Sequence, residues 1–101
     1  MNNLLTQQQV SDLPDLYTTE DVKNPICHIR LFTPDSNWTW YIIEFSKEDQ
    51  NTCFGYVIGH EVELGYFSLS EIEEVRDPLG LAVERDTTFT PQPLSEVKRG
   101  N

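Results

Sequence analysis

Positive charge is scarce in this chain. Seven lysines and arginines face seventeen acidic residues, for a formal charge of −10. Between Leu31 and Val75 there are nine carboxylates and one cation, Lys47. A surface of that sign repels a nucleic acid backbone, so direct nucleic acid binding is not expected. It suits either a basic protein partner or plain solubility. Cysteine is nearly absent too. Cys27 and Cys53 fall in predicted strands and form no close metal-type pair. They read as two reduced, buried thiols in a cytoplasmic protein, and a disulfide would require their strands to be neighbours. Long apolar runs are also missing. The longest aromatic-aliphatic run, Trp40 to Ile43, falls far short of the roughly 20 residues a membrane helix needs. The opening MNNLLTQQQV has no basic residue and no apolar stretch, so it does not read as a signal peptide. Internal repeats and low-complexity tracts are absent.

Aromatic residues are plentiful, and they are concentrated. The stretch Thr33–Tyr66 holds both tryptophans, three of the four tyrosines and two of the five phenylalanines. With 38% hydrophobic residues in 101, the chain can bury one modest core, which predicts a single domain over 1–101 with a loose tail from about 97.

Taken in order, Thr6 and Gln9 form a capping box for a short helix within Leu4–Leu13, stopped by Pro14. Residues 16–25 read as a polar surface loop. Ile26–Phe32 alternates with period two, placing Cys27, Ile29 and Leu31 on one face. The turn cluster Thr33–Asn37 leads to a strand at Trp38–Phe45. There Trp38, Trp40, Ile42 and Glu44 alternate with Thr39, Tyr41, Ile43 and Phe45. Both sets are largely apolar, so this strand should be central. Cys53–Ile58, with Gly55 as a bulge candidate, and Glu63–Leu69 complete an antiparallel meander. Ser70 and Glu73 form a second capping box, for a helix reaching about Arg76 with Leu69, Ile72 and Val75 buried. A short strand at Ala82–Glu84 and one last turn from Leu94 follow. The fold class is α+β: a mostly antiparallel sheet of four or five strands with two short helices packed on one face.

The catalytic constellations are all incomplete. His60–Leu64 reads HEVEL, but the second histidine of a zinc-protease helix is replaced by Leu64, and Gly59 and Gly65 bracket a turn. Asp35, Ser36 and His28 or His60 supply the residue types of a hydrolytic triad without a nucleophile elbow. Cys27 adjoins His28, yet neighbours in a strand face opposite ways. No metal or other cofactor is expected. What remains is a surface. Trp38, Trp40, Tyr41, Tyr56, Tyr66 and Phe67 include the residue types that anchor interfaces. Asp35, Glu44, Glu48, Asp49, Glu61, Glu63, Glu71, Glu73 and Glu74 could form a row imitating a phosphate backbone, steering the protein into a basic cleft.

Residues TPDSNWTWY (Thr33–Tyr41), FGYVIGHEVELGYFSLSEIEEVR (Phe54–Arg76) and PLGLAVERD (Pro78–Asp86), with LLTQQQVSDLPDLYTTED at the start and FTPQPLSE near the end, resemble a family of small acidic bacterial proteins of unknown function carried on plasmids, phages and other mobile elements. The resemblance runs from Leu4 to about Glu96. It implies a single-domain intracellular protein with an accessory role against host defence or in plasmid maintenance, and it carries no chemistry to any residue. The reading from sequence is therefore a non-enzymatic, cytoplasmic, monomeric or weakly dimeric protein. It binds a basic protein partner through Trp38, Trp40, Tyr66, Asp35, Glu61 and Glu63, in its sharpest form as a nucleic-acid mimic. The alternatives are a small metal-dependent or histidine/carboxylate hydrolase built on the His60 loop, and self-association through an open sheet edge.

Overall fold

The computed structural model describes residues 4–100. Five antiparallel strands form the main sheet in the order β5-β4-β3-β2-β6: β2 (Ile29–Phe32), β3 (Thr39–Phe45), β4 (Thr52–Ile58), β5 (Val62–Ser68) and β6 (Glu84–Arg85). A two-residue pair, β1 (Ile26–Cys27) with β7 (Gln92–Pro93), stands apart as a second sheet. Helices α1 (Gln7–Asp12), α2 (Leu69–Glu74) and α3 (Leu94–Arg99) complete the α+β fold.

β3 is central, and all seven of its residues are buried. One face of the sheet, with Ile29, Leu31, Trp40, Ile42 and Cys53, packs under α2 and under the leucines that flank α1, namely Leu4, Leu5 and Leu13. The opposite face, with Tyr41, Ile43 and Tyr56, packs under Leu94 and Val97 of α3. The two expected helices thus share one face, and a third covers part of the other. Residues 97–99, expected as a loose end, complete α3; Asn101 lies outside the described residues. The helix forms because Asn24 Oδ1 accepts the Ser95 N–H at 2.9 Å and Pro25 O accepts the Leu94 N–H at 2.8 Å. Glu96 in its first turn and Lys98 and Arg99 in its last complement the helix dipole.

The capping box on α1 forms as expected, with Thr6 and Gln9 exchanging bonds of 2.9 and 3.1 Å. On α2 the cap is Ser68, two residues earlier than expected, because β5 runs directly into the helix and its last residue turns to accept the Glu71 N–H. The expected strand Ile26–Phe32 breaks at His28. This break sends Cys27 to the α3 face while Ile29 and Leu31 keep the other.

β3 holds the most consequential irregularity. Ile42 pairs with Gly55, but the next pair is Glu44 with Phe54, so Ile43 is an extra residue in the strand. Strict alternation would have put Glu44 in the α1–α2 core beside Trp40 and Ile42. The bulge reverses the phase. Phe45 enters that core with 0% exposure, a burial worth about 1.5–3 kcal/mol. Glu44 turns to the α3 face. Gly55 itself is not bulged; it lies opposite the bulge, where an ideal Cβ would sit 1.8 Å from Tyr41 O.

Candidate functional site

Three loops meet at one end of the sheet around Trp38. The turn 33–38 is closed by Thr33, whose N–H donates to Trp38 O at 3.1 Å while its Oγ1 accepts the Trp38 N–H at 3.2 Å. The Trp38 ring stacks on Trp40 at 5.7 Å and meets His60 edge-on at 5.3 Å. Gly59 permits that approach, since a Cβ there would lie 2.3 Å from the Trp38 ring. The third loop, 75–81, is fastened by Asp77, which is 8% exposed. Its carboxylate accepts N–H bonds from Asp35 (2.7 Å), Leu79 (3.1 Å) and Leu81 (2.9 Å), tying the loop to the turn.

Two cavities flank Trp38. One, of about 440 Å³, is walled by Trp38, Trp40, Val75, Arg76 and Asp77; the other, of about 350 Å³, by Asp35, Asn37, Trp38, Gly59 and His60. Ser36 and Pro78 line both. Leu79 (70% exposed) and Leu81 (44%) stand open on the adjoining loop.

Of the six residues singled out from the sequence, the structure places Asp35, Trp38 and Trp40 in the walls of these cavities and Glu61 and Glu63 on the neighbouring β4–β5 turn and β5 strand. Trp38 is half-buried and Asp35 exposed beside it. Trp40, only 6% exposed, serves as the wall behind Trp38. Glu63 pairs with Val57, and Val57 with Trp40, so Glu63 lies on the same row and face of the sheet as Trp40. Glu61 sits exposed in the turn beside His60. Tyr66 is separate. It pairs with Phe54 on the α3 face and touches the Phe54 ring at 5.0 Å and the Tyr17 ring at 6.2 Å. Desolvation, with the Tyr17, Glu44 and Glu20 groups around it, pushes the Tyr66 phenol above its ordinary value.

Asp35, Ser36 and His60 do line one cavity, yet no hydrogen bond links the three among the described residues, so Ser36 has no base in contact. No group of three potential metal-ligating side chains gathers among the described residues either. The two thiols lie on opposite faces at 0% exposure, and burial pushes each up to about 12, far from a reactive thiolate.

Sequence reasoning missed Asp77 and misplaced Glu44, which it counted in the acidic surface row although the β3 bulge buries it against the 16–25 loop. Asp77-Pro78-Leu79-Gly80 has the composition of a side-chain-capped turn, which is one signal for the first. A lone carboxylate within WTWYIIEF is the signal for the second. Glu44 is 2% exposed. Its Oε1 accepts the Tyr17 N–H at 2.8 Å, and its Oε2 accepts the Thr19 N–H at 2.9 Å and the Thr19 hydroxyl. These bonds hold Tyr17 at φ 71°, in the left-handed region that a bulky residue rarely enters.

Fold and site together define a small α+β protein with an aromatic cleft at one end of its sheet, lined by Asp35 and Asp77 among its polar residues. No helix among the described residues is long and apolar enough to cross a membrane. The chain belongs to the family described as proteins of unknown function (DUF2958), which it matches over residues 3–99. None of the curated proteins and none of the solved structures matches it significantly.

Proposed function

We propose that this protein is a non-enzymatic binder of a basic protein partner and that the Trp38 cleft is its contact surface. The observation that carries this reading is the half-buried Trp38 between two cavities, with Asp35 in one wall, the exposed Glu61 and Glu63 on the neighbouring turn and strand, and the exposed Leu79 and Leu81 on the adjoining loop. An aromatic anchor in a pocket supplies affinity, while rim carboxylates supply steering and partner choice. Glu61 and Glu63 are exposed at the β4–β5 end and Asp35 on the β2–β3 turn, so negative charge is spread beside the cleft. Such a spread suits a basic groove that ordinarily holds nucleic acid, and imitation of nucleic acid phosphates is the sharpest form of the reading. The mobile-element setting implied by the family resemblance gives an inhibitor of that kind a role.

The test is capture from a native host lysate at low salt, with the wild-type chain and with the Asp35→Lys/Glu61→Lys/Glu63→Lys variant side by side. The expected outcome is a basic protein retained by wild type, released by salt and lost with the variant and with Trp38→Ala. Equal capture by the variant would displace the surface from this cleft. No salt-sensitive basic partner at all would remove the function.

A further inference from the structure

The opposite face of the sheet holds a further cavity, of about 390 Å³, with Glu44 in its lining. Its walls are Phe54, Leu64 and Tyr66 of β4 and β5, Val22 and Pro25 of the 16–25 loop, and Leu94 of α3. The volume lies in the range of small-ligand sites. Two features set it apart from an ordinary surface hollow. A carboxylate that is 98% shielded lines it, and among the described residues no cation lies within ion-pair distance of that carboxylate. Two rings line the cavity, Phe54 and Tyr66, 5.0 Å apart, and the Tyr17 ring lies 6.2 Å from Tyr66 outside the lining; both tyrosines are more than half exposed. Glu20 and Lys23, both lining residues, offset each other in charge, so Glu44 sets the sign.

We propose that this cavity is a binding site for an alkylammonium cation, with Glu44 as its counter-charge and the Phe54 and Tyr66 rings receiving the positive head and its methylenes. A buried carboxylate held only by neutral donors is short of positive charge. Aromatic faces attract a cation more strongly once it is partly desolvated. The bonds already made select the ligand. Of the roughly four lone-pair sites of a carboxylate, Glu44 uses one on Oε1 and two on Oε2. One site is left, which fits a single ammonium N–H and not the two-pronged donation of a guanidinium. A metal ion would need several more ligands than this one carboxylate. The ammonium can belong to a free diamine or to a lysine side chain of a polypeptide. The site lies on the other face from the Trp38 cleft and stands whether or not that cleft binds a partner.

The test is a ¹⁵N NMR titration of the full chain at about 0.15 M salt, where diffuse attraction to the acidic surface is screened beyond about 8 Å. The amides of Tyr17 and Thr19, which donate to Glu44, are the reporters. Cadaverine and blocked lysine amide are the ammonium probes, and n-pentanol is the neutral control. The expected result is saturable shifts at Tyr17 and Thr19 with an ammonium probe, at least about tenfold weaker binding of n-pentanol, and a similar loss in Glu44→Gln. Tighter binding of cadaverine assigns the site to a free amine; tighter binding of lysine amide assigns it to a lysine side chain. Tyr66→Ala, at a position 56% exposed, should weaken binding several-fold and keeps the test open should Glu44→Gln disturb the loop. No shift with either amine, or equal binding of n-pentanol, would overturn the proposal.

Discussion

Gly55 is where a single methyl group should matter most. An added Cβ would lie 1.8 Å from Tyr41 O, 2.9 Å from the Tyr41 carbonyl carbon and 3.3 Å from Ile42 Cα. All three are backbone atoms of the central strand, so no side chain can swing away to make room. Relief requires β3 and β4 to separate or the bulge at Ile43 to slip. Slippage would restore strict alternation, driving Glu44 into the α1–α2 core and Phe45 out of it. Gly55→Ala should therefore cost at least about 3 kcal/mol, the upper end of ordinary overpacking. For a domain of this size that is a fall in Tm of about 12–24 °C. The internal control is Gly65, the partner of Gly55 on the edge strand β5, where nothing lies within 4 Å of the added methyl. Gly65→Ala should be neutral or raise stability by about 0.5–1 kcal/mol by restricting the unfolded chain. Thermal unfolding of the two variants, followed by near-UV circular dichroism, measures both. A Gly55→Ala Tm within 3 °C of wild type would refute the packing argument, as would equal effects at the two glycines.

Asp77→Ala should lower stability by about 2–3 kcal/mol and expose Trp38, read as a red shift in tryptophan emission. Asp77→Asn should cost less, because its amide oxygen can keep the Leu79 and Leu81 bonds and lose only that from Asp35. Asp49 closes the turn between β3 and β4. The Thr52 hydroxyl bond first, then the Thr52 and Asn51 N–H bonds, hold its carboxyl down at about 2, against 3.8 ordinarily. Its folded value is the lower one, so its contribution is full above pH 3.8 and lost as pH falls toward 2. In Asp49→Asn the acid-unfolding curve should flatten in that window. Added salt should raise Tm between about 0.02 and 0.3 M, since two ion pairs among the described residues stand against a net charge of −10; a fall would contradict dominant self-repulsion.

Elements whose residues speak for themselves locally were legible in the sequence. The central strand announced itself through apolar residues on both faces, α1 through its capping box, and the meander through its turn chemistry. Phase was harder to read. Two interruptions, at His28 and at Ile43, each shift which side chains face which layer, and neither leaves a mark in alternation alone. They are set by pairing: Gly55 lets β4 approach the bulge, and β7, arriving 65 residues after β1, draws Ile26 and Cys27 out of line. The Trp38 cleft was half legible. Its aromatic and acidic members stood out, whereas Asp77 joins it through contacts 42 residues away in sequence. Tyr66 has the right chemistry for an anchor, but its parity on β5 places it on the far face, beside a loop whose fold depends on Glu44.

The positions of the cations sharpen the functional reading. Lys47, the one cation between Leu31 and Val75, donates to the carbonyls of Val10 and Ser11 at the end of α1. Arg85 holds Leu4 O at 2.6 Å, Arg30 pairs with Asp86, and Lys98 lies over the Tyr56 ring. Arg76 lines the Trp38 cleft, yet one guanidinium nitrogen is bonded to the carbonyls of Glu73 and Val75. Lys47, Arg76 and Arg85 thus serve the backbone, and Arg30 and Lys98 engage neighbouring side chains, while Asp35, Glu61 and Glu63 remain exposed. This division also separates two effects of salt. Screening weakens attraction to a basic partner and, in the same range, relieves repulsion within the folded chain. If both readings hold, a partner released by salt leaves a protein that has become more stable, so release cannot be ascribed to unfolding. Measuring Tm in the buffers used for capture makes that distinction directly.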